Sequence, residues 1–285
     1  MFHPALDLHV HTTASDGKKS PADVVKTALE LGLDAIAITD HDTVCGVEEA
    51  RRAAEGTSLF VVPGVELSID FAGELHILGL FVDTENEKFR QTMARLLHGR
   101  QSRARRIVEK LNDVGVPLLW DDVQKQAGGE SVGRAHVAYA LVQRGFVRDT
   151  DEAFAKYLER GKCAYVANER LSLDEALTLL KESGALSVWA HPMKTAQDQP
   201  TLRALYEHMK TLGLGGMECF HPYAAPGESK MLESWCAQDG LLITGGSDWH
   251  DKPGGVPLGW PANVYDAEKY IPHLREHLAK KERFV

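Results

Sequence analysis

No stretch of this sequence stays apolar for the roughly 20 residues that a helix needs to cross a bilayer. Its opening segment, MFHPALDLHVHTTASDG, has no basic start followed by an apolar block. The expectation is a cytoplasmic protein with no membrane partner and no secretory leader. Cysteine is sparse: Cys45, Cys163, Cys219 and Cys236 are scattered without a C-x-x-C spacing, which argues against a disulfide framework and against a zinc-thiolate knuckle. Positive charge is in deficit, with 32 Lys and Arg against 41 Asp and Glu and a net charge of −9. Long duplex nucleic acid is thereby disfavoured as a partner, because binding it rests on neutralising many phosphates. Any phosphate-bearing ligand has to be met by local cations. A Gly-rich phosphate loop is also missing, so the chemistry of that motif is not indicated.

What is present is an alternation of short apolar runs with helical patterns, the pattern of a parallel sheet with crossover helices. Strands are predicted at 6–11, 35–39, 59–68, 76–82, 185–190, 216–220 and 241–245. Between the first two, Ser20 is placed to cap a helix, Pro21 suits its first turn and Gly32 follows its last apolar position. Seven strands imply an α/β fold closed as an incomplete or distorted (β/α) barrel. From 87 to 170 the pattern is helical without convincing strands, which reads as an inserted helical domain; the barrel domain would then comprise 1–86 and 171–285.

Metal-capable side chains fall beside these strands. Asp7, His9 and His11 lie in the first, Asp40 and His41 follow the second, Glu66 is near the end of the third and His76 opens the fourth. His191 follows ALSVWA, Glu218 and His221 close GGMECFH, and Asp248 and His250 follow LLITGGS. In a (β/α) barrel the C-terminal strand ends meet on one face, so residues spread along the whole chain would converge there. His9 and His11, at i and i+2 of a strand, point to one side and can share an ion. Alone, that pair is equally an ordinary half-exposed one; the joint pattern with Thr39-Asp40-His41-Asp42 and Ser247-Asp248-Trp249-His250 carries the inference. Mixed imidazole and carboxylate ligands suit zinc, manganese or iron better than calcium.

These residues resemble the PHP family, named for polymerase and histidinol phosphatase, through DLHVHTTASDG, ITDHD, PGVELS, ELHILGL, WAHP and GGSDWH. The resemblance implies a distorted, TIM-barrel-like seven-stranded barrel and two or three divalent ions. It further implies a first site of His9, His11, Glu66 and Asp248, with Glu66 bridging to a second site of His76 and His191, and a third site of Asp16, His41 and His250. Asp16 would otherwise read as the turn residue of Ser15-Asp16-Gly17, and only the resemblance makes it a ligand. The insertion is similar to that of bacterial 3′,5′-nucleotide bisphosphate phosphatases and 5′-end oligoribonucleotide exonucleases, through SVGRAHVAYALVQRG and FAKYLERGKCAYV. Where those enzymes commonly continue His-Pro-Gly-Arg, this chain has His191-Pro192-Met193-Lys194.

The implied activity is hydrolysis of a phosphate ester of a small nucleotide, either a 3′,5′-bisphosphonucleotide or a 5′-phosphorylated short oligonucleotide, by a metal-activated hydroxide. Arg134 and Lys162 are the candidate substrate-binding cations, one a planar fork and the other a compact charge; the alternative is two solvated helix residues. Arg134 is also a candidate for the catalytic machinery, as is His221, which would protonate a leaving group or line the pocket. The run Arg100, Arg103, Arg105, Arg106 and Lys110 reads as the outer face of an inserted helix. Histidinol-phosphate hydrolysis and metal-dependent amide hydrolysis on a similar barrel are the competing readings. A non-catalytic module bracing a polymerase predicts missing ligands.

Overall fold

The computed structural model describes residues 5–260 apart from 128, 130 and 253, so the outer ends of the expected barrel segments, 1–4 and 261–285, lie outside the described residues. Seven strands form where the apolar runs predict them: β1 (Leu6–Val10), β2 (Ala35–Ile38), β3 (Phe60–Ser68), β4 (His76–Leu80), β5 (Leu186–Trp189), β6 (Gly216–Phe220) and β7 (Leu242–Gly245). They make one sheet in chain order. After β7 the chain returns to β1, where His11 N–H donates to Trp249 O at 2.9 Å, and this contact curls the sheet towards closure. Every residue of β1, β2, β4, β6 and β7 is buried, as expected of strands covered on both faces.

The helices are α1 (Pro21–Glu30), α2 (Val47–Ala54), α3 (Glu87–Asp113), α4 (Trp120–Gln124), α5 (Arg134–Gln143), α6 (Thr150–Ala153), α7 (Leu173–Glu182), α8 (Pro192–Thr195), α9 (Gln199–Thr211) and α10 (Pro226–Asp239). A π-helical turn, Phe154–Leu158, continues α6. The Ser20 side chain accepts from Asp23 N–H at the start of α1, and Gly32, at φ 71°, takes the left-handed backbone that lets the chain leave it. Val24, Val25 and Ala28 of α1 pack with Val47 and Ala50 of α2 against Ile36 and Ile38. Leu177, Leu180, Leu202 and Leu232 of α7, α9 and α10 close the other side.

One strand departs from the parallel arrangement that the alternation predicts. β4 runs antiparallel to both β3 and β5. The reason is the connection: 69–75 is too short for the dozen or more residues of a parallel crossover, but ample for a hairpin. The reversal has a consequence for the site, because it brings His76, at the start of β4, beside Ser68 at the end of β3.

No strand lies within 87–170 among the described residues. The long helix α3 starts in the barrel core through Phe89, Met93 and Leu96. It ends in a separate core, where Ala104, Ile107, Val108 and Leu111 pack with Val137, Leu141 and Leu158. Among the described residues, no helix is long and apolar enough to cross a membrane.

Gly246, just after β7, passes so close to β1 that a Cβ there would press into His9 Cβ and lie 2.8 Å from both His9 N and Glu218 Oε1. Gly246→Ala is expected to destabilise the fold by about 1–3 kcal/mol, the usual cost of overpacking, which denaturant unfolding of the metal-free protein measures. An unchanged midpoint would show that the barrel yields at this point.

Candidate metal centre

The side chains that the strands deliver to one face converge on Glu66. Its carboxylate is fully buried, and its two oxygens face different partners. Oε2 lies 3.4 Å from His9 Nε2, 3.2 Å from His11 Nε2 and 2.9 Å from His41 Nδ1. Oε1 lies 2.7 Å from His76 Nδ1 and 2.9 Å from His191 Nε2. Asp248 Oδ1 completes the first set, 3.5 Å from His9 Nε2 and 3.2 Å from His11 Nε2. Asp16 Oδ1 is 3.3 Å from His250 Nε2 and 4.0 Å from His41 Nε2. The structure thus brings together His9, His11, Asp16, His41, Glu66, His76, His191, Asp248 and His250. His11 and His41 stand between groups: His11 also falls with Asp16, His41 and His250, and His41 with Glu66 and His76.

Two of these residues reach the cluster through unusual backbone. His191 at φ 31° and Asp248 at φ 55° are in the left-handed region, which costs a non-glycine residue on the order of 1–2 kcal/mol. For His191 a bond from its own N–H to Glu218 Oε2, at 2.7 Å, holds the turn.

The donor set fits divalent ions. Glu66 Oε2 and His41 Nδ1 are 2.9 Å apart, yet both are buried and neither makes a hydrogen bond, as expected of lone pairs directed at a common ion. The ionisation of the groups agrees. Burial pushes the Glu66 carboxyl up, but His41, His76 and His9 more than offset it and hold it well below the usual carboxylate range. Burial raises Asp16 and Asp248 in the same way, and the neighbouring histidines pull both well below it. His11 is opposed in sign: burial lowers it, while Asp248 and Glu66 lift it to about 9.

A second layer of carboxylates positions the first. Glu218, fully buried in β6, lies 3.2 Å from His9 Nδ1, which fixes the tautomer that turns Nε2 to the cluster. Asp40 accepts from Thr12 N–H at 2.8 Å and from Ser15 Oγ at 2.6 Å, tying down the loop that carries Asp16. Asp7 accepts from Ser247 Oγ at 2.5 Å and Gly259 N–H at 2.9 Å, and burial raises its pKa to about 6 despite these bonds. Asp7 and Asp40 are metal-capable by sequence but sit behind the cluster as braces.

His221 is buried beside it. Its Nδ1 accepts from Tyr223 N–H at 3.3 Å, and Nε2 lies 3.9 Å from both Glu218 Oε2 and Asp248 Oδ2. Burial, against the pull of Glu218, lowers its pKa to about 4. At neutral pH it therefore offers an N–H to hydrogen-bond rather than a proton to release.

The cluster borders a cavity of about 1530 Å³ between barrel and insertion, lined by nine Lys and Arg against four Asp and Glu. The deficit of positive charge in the whole chain is reversed here. Arg134 lines it, with its guanidinium 5.4 Å from the Phe154 ring centre; burial and the nearby Arg170 lower its pKa. Arg100 and Arg103 line it as well, which corrects the expectation that this basic run faces outward. Arg100 reaches Asp42 Oδ2 at 2.5 Å and Arg103 Nε donates to Val166 O at 2.8 Å, because α3 crosses from one core to the other and turns this face inward. Burial, then Arg134 and Arg100, bring Arg103 down to about 9. Arg105 instead lies over Trp120, 4.2 Å from the ring centre. Lys162 is exposed and lines neither this cavity nor the smaller one beside the cluster. Lys194 is a cation that motif reasoning left without a role: its Nζ is 3.1 Å from Asp248 Oδ2 and 3.5 Å from Glu74 Oε1.

A family model described as the PHP domain matches residues 7–162. The chain is 34% identical over 262 residues to a 5′-3′ exoribonuclease of Haemophilus influenzae, covering 92% of this chain and 95% of that protein. It is 29% identical over 247 residues to a 3′,5′-nucleoside bisphosphate phosphatase of Chromobacterium violaceum, covering 86% and 87%. A solved structure of a Bifidobacterium adolescentis protein assigned as a metal-dependent phosphoesterase matches with a TM-score of 0.82 and 33% identity, over 97% of this chain and 96% of that one.

Because the carboxylates lift His11 to about 9, the metal-free cluster holds a proton there at neutral pH that an ion has to displace. Loading apo-protein with Mn²⁺ in unbuffered solution at pH 7 is therefore expected to release protons, and the apparent affinity should weaken as pH falls from 8 to 6. Proton-free loading with a pH-independent affinity would contradict this charge assignment.

Proposed function

This chain belongs to the PHP domain family and is a metal-dependent phosphoester hydrolase; from that premise we propose that its substrate is a small nucleotide, a 3′,5′-bisphosphonucleotide or a 5′-phosphorylated short oligonucleotide. The observation that carries the reading is the juxtaposition of the Glu66 cluster with a cationic cavity wide enough for more than the reacting phosphate. The similarity to an exoribonuclease and to a nucleoside bisphosphate phosphatase supports the same substrate class.

In this reading two or three divalent ions, manganese, zinc or iron, occupy the cluster. His9, His11, Glu66 and Asp248 hold the first, Glu66 with His76 and His191 the second, and Asp16, His41 and His250 the third. When bound, such ions supply an activated water and Lewis-acid charge for the phosphoryl oxygens. The protein's part is positional. Glu66 sets the spacing of the first two sites, Glu218 holds His9 in its ligating tautomer, and His221 directs an N–H to the leaving oxygen.

Residues 87–170 act as a capping domain over a barrel of 1–86 and 171–285, and the protein works in the cytoplasm. The cap supplies Arg134, whose planar fork takes the phosphate that does not react. Arg103 and Arg170, close enough to lower its pKa or be lowered by it, leave this wall with cations in excess until an anion arrives. Lys162, exposed and away from the cavity, is not needed in that clamp.

Arg134→Ala separates this reading from a general phosphatase. The variant is expected to lose about 2–4 kcal/mol of transition-state binding on adenosine 3′,5′-bisphosphate, the cost of truncating a half-buried charge contact. Hydrolysis of a simple monophosphate ester by the same preparation should change little, and because both use the same metals a general defect would lower them together. Equal losses on both, or none on either, would remove Arg134 from the clamp.

A further inference from the structure

A second cavity of about 480 Å³ adjoins the cluster, bordered by Glu66, His191 and Asp248 and also by Lys194 and Tyr223. Its volume falls in the roughly 300–1,000 Å³ range of small-ligand sites. Among the described residues five large hydrophobic or aromatic side chains are exposed, and Tyr223, at 59%, is the one of the five that borders either cavity. Packing of the barrel does not call for an open ring there.

The ring is nonetheless fixed. Its plane is 13° from that of buried His221, with ring centres 5.3 Å apart. Its backbone N–H donates to His221 Nδ1 at 3.3 Å, and Ala224 N–H donates to His221 O at 2.9 Å, closing the turn between β6 and α10. Lys194 Nζ, held by Asp248 and Glu74, stands 4.5 Å from the Tyr223 ring centre. A ring already ordered loses little freedom when a flat ligand settles on it. Stacking also suits any base, because every base offers a π face.

We propose that Tyr223 is the platform on which the nucleobase of the substrate stacks while the reacting phosphate lies on the Glu66 cluster, an assignment that rests on the nucleotide-ester reading above. Preference for a nucleotide over a phosphate ester of similar charge would then reside at the turn after β6, and recognition of the second phosphate at the insertion. The two contributions are separable, since Tyr223 borders the smaller cavity and Arg134 the larger.

The test compares adenosine 3′,5′-bisphosphate with 1-deoxyribose 3,5-bisphosphate, which keeps both phosphates and lacks the base, on the manganese-loaded enzyme. Tyr223→Ala is expected to lose on the order of ten- to a hundredfold in kcat/KM on the nucleotide, mostly through KM, and far less on the base-free sugar. Tyr223→Phe and Tyr223→Trp, which keep a ring, should retain the preference for the nucleotide. Metal content and melting temperature of Tyr223→Ala serve as the folding control. Equal losses on the two substrates, or a wild-type enzyme that prefers the base-free sugar, would overturn the platform and leave the phosphoesterase reading intact. A wild-type enzyme that hydrolyses neither compound would overturn the nucleotide reading and the platform with it.

Discussion

A carboxylate removed from water is tolerated only where opposite charge or a metal compensates it. Glu66 has no solvent contact and sits in β3 with imidazoles from five places in the chain within 3.4 Å of its oxygens. Much of the architecture serves that one meeting. The antiparallel β4 brings His76 to it, the left-handed turns after β5 and β7 bring His191 and Asp248, and the absence of a side chain at Gly246 lets the seventh strand approach the first. Because several partners are held in left-handed backbone or by buried acids, the site cannot be assembled from local preference alone, and packing elsewhere has to sustain the strain.

Charge is partitioned on a larger scale as well. The barrel face gathers carboxylates and imidazoles suited to cations, and the insertion turns arginines towards the same space. A phosphate ester has both needs at once: oxygens for metals and residual negative charge for a guanidinium fork. The net charge of −9 and this cationic wall are therefore compatible, since the arginines are concentrated where α3, α5 and the segment before α7 face the cluster.

Much of this was legible in the sequence because period and punctuation are local. All seven strands, and the convergence of eight of the nine clustered residues beside them, follow from short apolar runs that end in or lead to His, Asp or Glu. Strand direction was not, since alternating hydrophobicity carries no polarity; the short connection 69–75 was the available sign that β4 reverses. The basic run of α3 was misread for a related reason. Its helical spacing fixes which residues share a face, but the buried stripe passes from Phe89, Met93 and Leu96 to Ala104, Ile107 and Leu111, and only the three-dimensional path shows Arg100 and Arg103 facing the cavity. Glu218 was visible as metal-capable, yet its bond to His9 across 209 residues is a tertiary fact. Asp16 was placed by family resemblance, and its turn sequence alone would have left it a turn residue.

The central claim is that one carboxylate serves two ions. Anomalous diffraction at the manganese edge from crystals of manganese-loaded protein tests it directly. The account predicts two peaks flanking Glu66, one beside Oε2 with His9, His11 and Asp248, the other beside Oε1 with His76 and His191. Peaks that leave Glu66 unligated, or a single ion with both oxygens on it, would contradict the account.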